Sequence, residues 1–330
     1  MATTTTNRDK QQIIVLGAGY GGLLAALRLA PYARVTLIDP SDHFTERVRQ
    51  HELVARPAGA ALALADLLRG TGVRHIPSRA SALDPVGRQV TTDDGQRLGY
   101  DRLVYALGSR TAVPMDHTAL PDAPGVHPDS VPRVSTGSSE HPLRVYTAES
   151  AGALRLRTQS GKGALTVVGG GLTGIELAAE LAESRPAWDI RLLTAGPLAA
   201  GQSARGRDHV RGALEAQGVR IEEGRKVEDP AGVDADVVVW AASMRPNVGL
   251  AADAGLALDP ESGRIAVDAA LRSITHPEIS AVGDAAAAHS PLGAPSAWVV
   301  RQRFPPASTR PPPSSPRSTI ENRNHCTSAI

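Results

Sequence analysis

One pattern occurs twice in this chain and restricts its fold more than any other feature. The stretch Ile13-Ile14-Val15-Leu16-Gly17-Ala18-Gly19-Tyr20-Gly21-Gly22-Leu23-Leu24 matches, in residue kind and spacing, Leu165-Thr166-Val167-Val168-Gly169-Gly170-Gly171-Leu172-Thr173-Gly174-Ile175-Glu176. Each copy opens on a short, β-branched apolar run suited to a strand buried on both faces. It then turns at glycines and continues with apolar residues at helical spacing, as at Leu23, Leu24 and Leu27 or at Ile175, Leu177 and Leu181. A second strand-like run follows each, at residues 35–38 and 190–193. Two βαβ units are the economical reading, which predicts an α/β protein with two Rossmann-like dinucleotide-binding domains.

The glycine spacing has a chemical purpose. A pyrophosphate at such a turn needs a first glycine for the sharp bend, a second for close approach to the backbone, and a third for tight packing of helix on strand. Unpaired N–H groups at the helix start then meet the phosphates. Gly17, Gly19 and Gly22 supply these positions in the first copy, with Ala18, Tyr20 and Gly21 between them, and Gly169, Gly171 and Gly174 supply them in the second. Asp39 ends the strand that follows the first turn, where a ribose hydroxyl pair needs a carboxylate acceptor. The second copy has no such acid: Thr194-Ala195-Gly196 follows its strand, and Arg205 and Arg207 lie in the next loop. An arginine can accept a 2′-phosphate, but in a chain whose 35 basic residues include only Lys10, Lys162 and Lys226 as lysines, solvated loop arginines are equally expected. The choice between NADH and NADPH stays open at this level.

Composition removes several alternatives. The 35 basic side chains are balanced by 34 acidic ones, so no extended single-sign field is available to hold nucleic acid. The single cysteine, Cys326, rules out an internal disulfide, a cysteine-rich zinc site and a CxxC redox pair. The apolar stretch after Arg8 and Lys10 resembles a secretory leader, but glycines break it and no convincing cleavage site follows; no stretch is suited to cross a membrane.

Four segments, taken together, resemble the FAD-dependent pyridine nucleotide-disulfide oxidoreductase superfamily, and within it the type II NADH dehydrogenase and apoptosis-inducing-factor-like branch. They are the first glycine turn with Asp39; Tyr100-Asp101-Arg102-Leu103-Val104-Tyr105-Ala106-Leu107-Gly108-Ser109; Gly169 to Glu180; and Ile279-Ser280-Ala281-Val282-Gly283-Asp284-Ala285-Ala286. A weaker match is Trp240-Ala241-Ala242-Ser243-Met244-Arg245-Pro246-Asn247. The resemblance covers residues 12 to about 290. It implies an NAD(P)-binding domain, 146–247, inserted in an FAD-binding domain made of segments 10–145 and 248–295. By the same implication Asp39 holds the adenosine ribose of FAD, Ala80 meets adenine through its backbone, Asp284 accepts a hydrogen bond from the ribityl chain with Gly283 beside it, and Gly108 marks the crossing between the halves. Arg47 or Arg49 is implied near the flavin nucleotide, a surface salt bridge being the alternative. Glu176, placed by this reading in the first turn of the second helix, either orients the nicotinamide carboxamide or stabilises the helix dipole.

The chain departs from the family in two places. Where disulfide reductases carry their cysteine pair, this chain reads His43-Phe44-Thr45-Glu46-Arg47-Val48-Arg49-Gln50-His51-Glu52, so electrons must leave by another route. His51 and Glu52 are either a proton-handling pair for a quinone or polar residues on a solvated helix face. After Pro295 the sequence turns rich in proline and arginine, including Pro305, Pro306, Pro311, Pro312 and Pro313; residues 296–330 are expected to be disordered and to stand in place of the family's usual carboxyl-terminal region. The expectation is an FAD-dependent NAD(P)H oxidoreductase, cytoplasmic or peripheral to the inner face of the membrane, passing electrons to a quinone or other small acceptor. A flavin- or nucleotide-binding protein with little turnover is the rival expectation.

Overall fold

The computed structural model describes residues 10–55, 61–111, 144–145, 148–229, 232–242 and 244–288. The proline-rich connection at 114–142 and the tail at 296–330 fall outside the described residues. The first half runs β1 (Gln12–Leu16), α1 (Tyr20–Leu29), β2 (Arg34–Ile38), β3 (His43–Thr45), α2 (Glu52–Ala55), β4 (Ala61–Ala63), α3 (Leu64–Leu67), β5 (Arg74–Ile76), β6 (Ala80–Asp84), β7 (Gln89–Thr92), β8 (Arg97–Gly99), β9 (Arg102–Tyr105) and β10 (Ser109–Thr111). The second runs β11 (Arg144–Val145), α4 (Ala148–Thr158), β12 (Gly163–Val168), α5 (Leu172–Ser184), β13 (Trp188–Thr194), α6 (Ala204–Ala216), β14 (Arg220–Glu223), β15 (Val237–Trp240), β16 (Met244–Pro246), α7 (Gly249–Asp253) and β17 (Ile279–Ala281).

Two parallel sheets carry the molecule, in the orders β17-β9-β1-β2-β5 and β11-β15-β12-β13-β14. In both, the strand before the glycine turn is central, with its βαβ partner on one side and a later or returning strand on the other. That is the doubly wound arrangement, which opens a crevice beyond the carboxyl ends of the central strands. The central strand of the first sheet shows why a continuous apolar run was needed. Ile14 and Leu16 enter one core with Leu103, Tyr105 and Ile279, while Ile13 and Val15 enter the other with Leu23, Ala26 and Leu37. Successive side chains point to opposite faces, and both faces are covered. The second sheet repeats this, with Leu165 and Val167 packed against Leu177 and Leu181 of α5, and Val168 in a smaller cluster with Trp240.

One Rossmann-like domain is inserted in the other. The chain leaves the first sheet after β9, builds the second, and returns through β16, which pairs antiparallel with β10 (Ser109↔Pro246, Thr111↔Met244), before β17 joins β9 (Ile279↔Leu103). Asn247 holds this crossing: its N–H donates to the Gly108 carbonyl at 2.9 Å, its amide nitrogen donates to Leu107 at 2.8 Å, and its own carbonyl accepts from the Tyr105 hydroxyl at 2.9 Å.

Residues 90–92 run in the antiparallel sheet β6-β7-β8, whose Leu83 and Val90 cover one face of the first parallel sheet. Residues 265–267 form isolated bridges with Leu258, Ala286 and Ser273 in place of a strand, because turns at Gly263 and at 268–271 bound the segment too closely for a ladder. Among the described residues no helix is long and apolar enough to cross a membrane.

Candidate dinucleotide clefts and the contact between them

The two glycine turns superpose in their bonding. The Gly17 N–H donates to the Ile38 carbonyl at 2.9 Å, and the Gly169 N–H donates to Leu193 at 2.8 Å. Both glycines take a positive φ, 95° and 133°, that a side chain would strain. A Cβ on Gly22 would overlap the Gly17 carbonyl oxygen, and one on Gly174 would overlap that of Gly169, so helix and strand touch as the motif requires. At Gly19 and Gly171 the reverse holds: among the described residues, no atom beyond the adjoining backbone lies within 4 Å of the Cβ position. The first N–H groups of α1 and α5 are thus offered to an open space, as an anion needs.

Around the first turn the structure brings together most of the implied residues. Asp39 Oδ2 accepts from the Ala18 N–H at 2.7 Å and Oδ1 from the Ser41 N–H at 2.8 Å. Each carboxylate oxygen has capacity for a further donor, as a ribose diol would supply. Tyr20 meets Phe44 edge to face with ring centroids 5.0 Å apart, and its phenol is pushed up by burial and then by Glu46. Gly21 packs against the Val282 side chain, next to Gly283 (φ 67°) and Asp284. Asp284 Oδ2 accepts from the Ser109 hydroxyl at 2.6 Å, so the acid is tied directly to the first residue of the crossing strand β10. Gly108 takes a φ of 64° where that crossing begins. Ala80 is the first residue of β6, and Arg47 is exposed on a short 3₁₀ turn, Arg47–Arg49. Arg49 is committed elsewhere, donating to both carboxylate oxygens of Glu52 at 2.9 and 2.8 Å.

That pairing counts against one of the two alternatives for His51 and Glu52, the proton-handling pair. Glu52 is held by Arg49, and the acid opposite His51 is Glu176, with His51 Nδ1 3.6 Å from Glu176 Oε2. The two come from different halves of the chain: α2 lies against α4 and α5, its Val54 is buried in the core of the second domain, and the Arg185 guanidinium donates to the Val54 carbonyl at 2.7 Å. Glu176 itself is the fifth residue of α5, and the first turn of that helix contains no acid, so its position is not one that stabilises the helix start. Burial pushes its carboxyl up, and the nearby His51 partly opposes this. His51 Nδ1 is buried and has no hydrogen-bond partner among the described residues. Sequence reading missed this cross-domain pair, together with Ser109 and Asn247. Their residue types carry no periodic signal; only their place beside the Gly108 and Gly174 motifs pointed toward them.

The sequence pattern of the pyridine nucleotide-disulphide oxidoreductase family matches residues 11–307. The chain belongs to this family. Its members are FAD-dependent oxidoreductases that work with NAD(P)H. Among curated members, an NADH dehydrogenase-like protein of Mycobacterium tuberculosis is 32% identical over 315 residues, covering 84% of this chain and 73% of that protein. A demethylphylloquinone reductase of Synechocystis is 29% identical over 189 residues, covering 53% of this chain and 43% of the other. Among solved structures, a ferredoxin reductase of Rhodopseudomonas palustris shares the fold with a TM-score of 0.68 at 24% identity, covering 86% of this chain and 70% of that one. The family's cofactors fit the residues present: two uncapped, open glycine cradles, a carboxylate with spare acceptor capacity at the first, and an acid-to-hinge link at Asp284. Among the described residues no cluster of histidine, cysteine or acid is suited to a metal ion.

Proposed function

We propose that this chain transfers a hydride from NAD(P)H to FAD and passes the electrons to a quinone or a similar small acceptor. The observation that carries the reading is the pair of geometrically equivalent cradles, each facing open space, on two domains joined by the β10–β16 ribbon and Asn247. In this reading segments 10–145 and 248–295 bind FAD, through Gly17, Ala18, Gly19, Tyr20, Gly21 and Gly22 at the pyrophosphate, Asp39 at the ribose, Ala80 at adenine, and Arg47, Gly108, Gly283 and Asp284 along the rest of the cofactor. Segment 146–247 binds NAD(P)H through Gly169, Gly171 and Gly174.

FAD, when bound, supplies the two-electron acceptor chemistry. The protein's own part is positioning: the cradles orient two dinucleotides, Asn247 and Ser109 hold the angle between the domains, and Glu176 with His51 sets the charge where the halves meet. The quinone is favoured because the chain has no cysteine pair to reduce, and because relatives include a demethylphylloquinone reductase and an Arabidopsis alternative NAD(P)H-ubiquinone oxidoreductase. Anaerobic titration of the purified chain tests it. Flavin absorbance near 450 nm should bleach with a nicotinamide donor and return on adding menadione. A colourless protein that takes up no FAD would support the rival binding-protein reading. A flavoprotein reoxidised by ferredoxin but not by quinone would replace the acceptor.

A further inference from the structure

The internal repeat allows a residue-for-residue comparison of the two clefts. Because Gly17 bonds Ile38 and Gly169 bonds Leu193 in the same way, Thr194 occupies the place of Asp39. The equivalence is close: Asp39 lies against the Ala18 N–H, and Thr194 lies against Gly170, whose missing Cβ leaves room for it. Where the first cleft presents a carboxylate, the second presents a buried hydroxyl that donates to the Gly196 carbonyl at 3.1 Å. A negative charge at this position is what repels a 2′-phosphate, and here it is missing.

Arginines accompany the acids beside Thr194, and the Arg225 N–H donates to the Thr194 carbonyl at 3.0 Å. The loop after β13 folds back over the turn, with the Ala199 N–H donating to Gly170 at 2.9 Å, and α6 begins a few residues later. The nearby acids on β14 are matched: Glu222 pairs with Arg225 at 2.6 Å and Arg191 at 3.5 Å, and Glu223 pairs with Arg211 at 2.6 Å while accepting from the Leu198 N–H. Both carboxyls are held below the usual range by these partners. Arg207 is turned to the Gln202 carbonyl at 2.9 Å. Arg205, in the first turn of α6, is exposed and makes no hydrogen bond or ion pair among the described residues. From this we infer that the second cleft selects nicotinamide nucleotides carrying a 2′-phosphate, with Thr194 as the specificity position and Arg205 as the cation that meets the phosphate. The inference rests on the dinucleotide reading above and names its substrate class.

Calorimetric titration of the FAD-loaded full chain with adenosine 2′,5′-bisphosphate and with 5′-AMP tests it without turnover. The bisphosphate should bind at least about tenfold tighter. Thr194→Asp should weaken the bisphosphate by about tenfold or more and leave 5′-AMP unchanged, and Arg205→Ala, on an exposed site where folding is not at risk, should weaken the bisphosphate alone. Equal binding of the two nucleotides to the wild-type chain overturns the inference while leaving the cleft intact. If Arg205→Ala weakens both ligands equally, the cation is not at the 2′ position and the assignment fails. If neither nucleotide binds and no nicotinamide bleaches the flavin, the dinucleotide reading itself falls.

Discussion

At the scale of single residues, the most informative contact is the one between His51 and Glu176. Burial favours the protonated form of Glu176, and the neighbouring His51 partly opposes this by favouring the ionised carboxylate. The sign follows from the raised carboxyl: the folded state binds this proton more tightly than the unfolded chain, so the penalty of ionising it is present above the folded pKa and relaxes as pH falls through it. Replacing His51 with alanine removes the opposing charge and should move the acid limb of the pH profile for flavin reduction to higher pH, as read by stopped-flow absorbance. A limb that stays in place would show the two groups to be uncoupled. Glu176→Gln should slow flavin reduction by about tenfold to a hundredfold with a smaller change in nicotinamide affinity, because misplacing a reacting ring by a fraction of an ångström has effects of this order.

At the scale of elements, the glycine turns separate folding from binding. A methyl at Gly22 or Gly174 must displace the backbone carbonyl of Gly17 or Gly169, so Gly22→Ala and Gly174→Ala should each lower stability by about 1–3 kcal/mol, seen as a lower thermal midpoint. A methyl at Gly171 meets no atom of the described residues beyond the adjoining backbone and would stand in the space left for a phosphate. Gly171→Ala should therefore keep its thermal midpoint and lose nicotinamide affinity, and a variant that unfolds early would contradict the open cradle. The helix that follows each turn is an ordinary core element: Leu177 is fully buried between α5 and the second sheet, and Leu177→Ala should cost about 2–5 kcal/mol by denaturant unfolding. These elements were legible in sequence because an apolar run that changes period from strand to helix at a glycine triplet has few structural solutions.

For the whole molecule, the decisive arrangement is the crossing between the domains. Asn247 donates to Leu107, accepts from Arg110 at 3.0 Å through its side-chain oxygen, and engages Gly108 and Tyr105 through its backbone. Asn247→Ala should cost about 1–2 kcal/mol. It should also slow flavin reduction more than it weakens binding to either isolated cofactor, because it loosens the angle between two otherwise intact clefts. Unchanged flavin reduction in this variant would assign that angle to the α2 contact with α4 and α5, where Arg185 holds Val54. The Ser109 to Asp284 bond ties the same crossing to the first cleft, and neither residue's partner could be read from spacing across 175 positions.

The sequence by itself determined the number of clefts, the strands and helices that form them, the carboxylate at Asp39 and its absence at Thr194. Those properties are local: backbone conformation, side-chain alternation and residue charge are written in neighbouring positions. Tertiary structure alone decided that His51 faces Glu176 and not Glu52, that Arg49 is occupied, and that Asn247 and Ser109 hold the domains. Such pairings depend on how two sheets pack together, and that packing is set by shape and by hydrogen bonds between residues with no periodic relation in the chain.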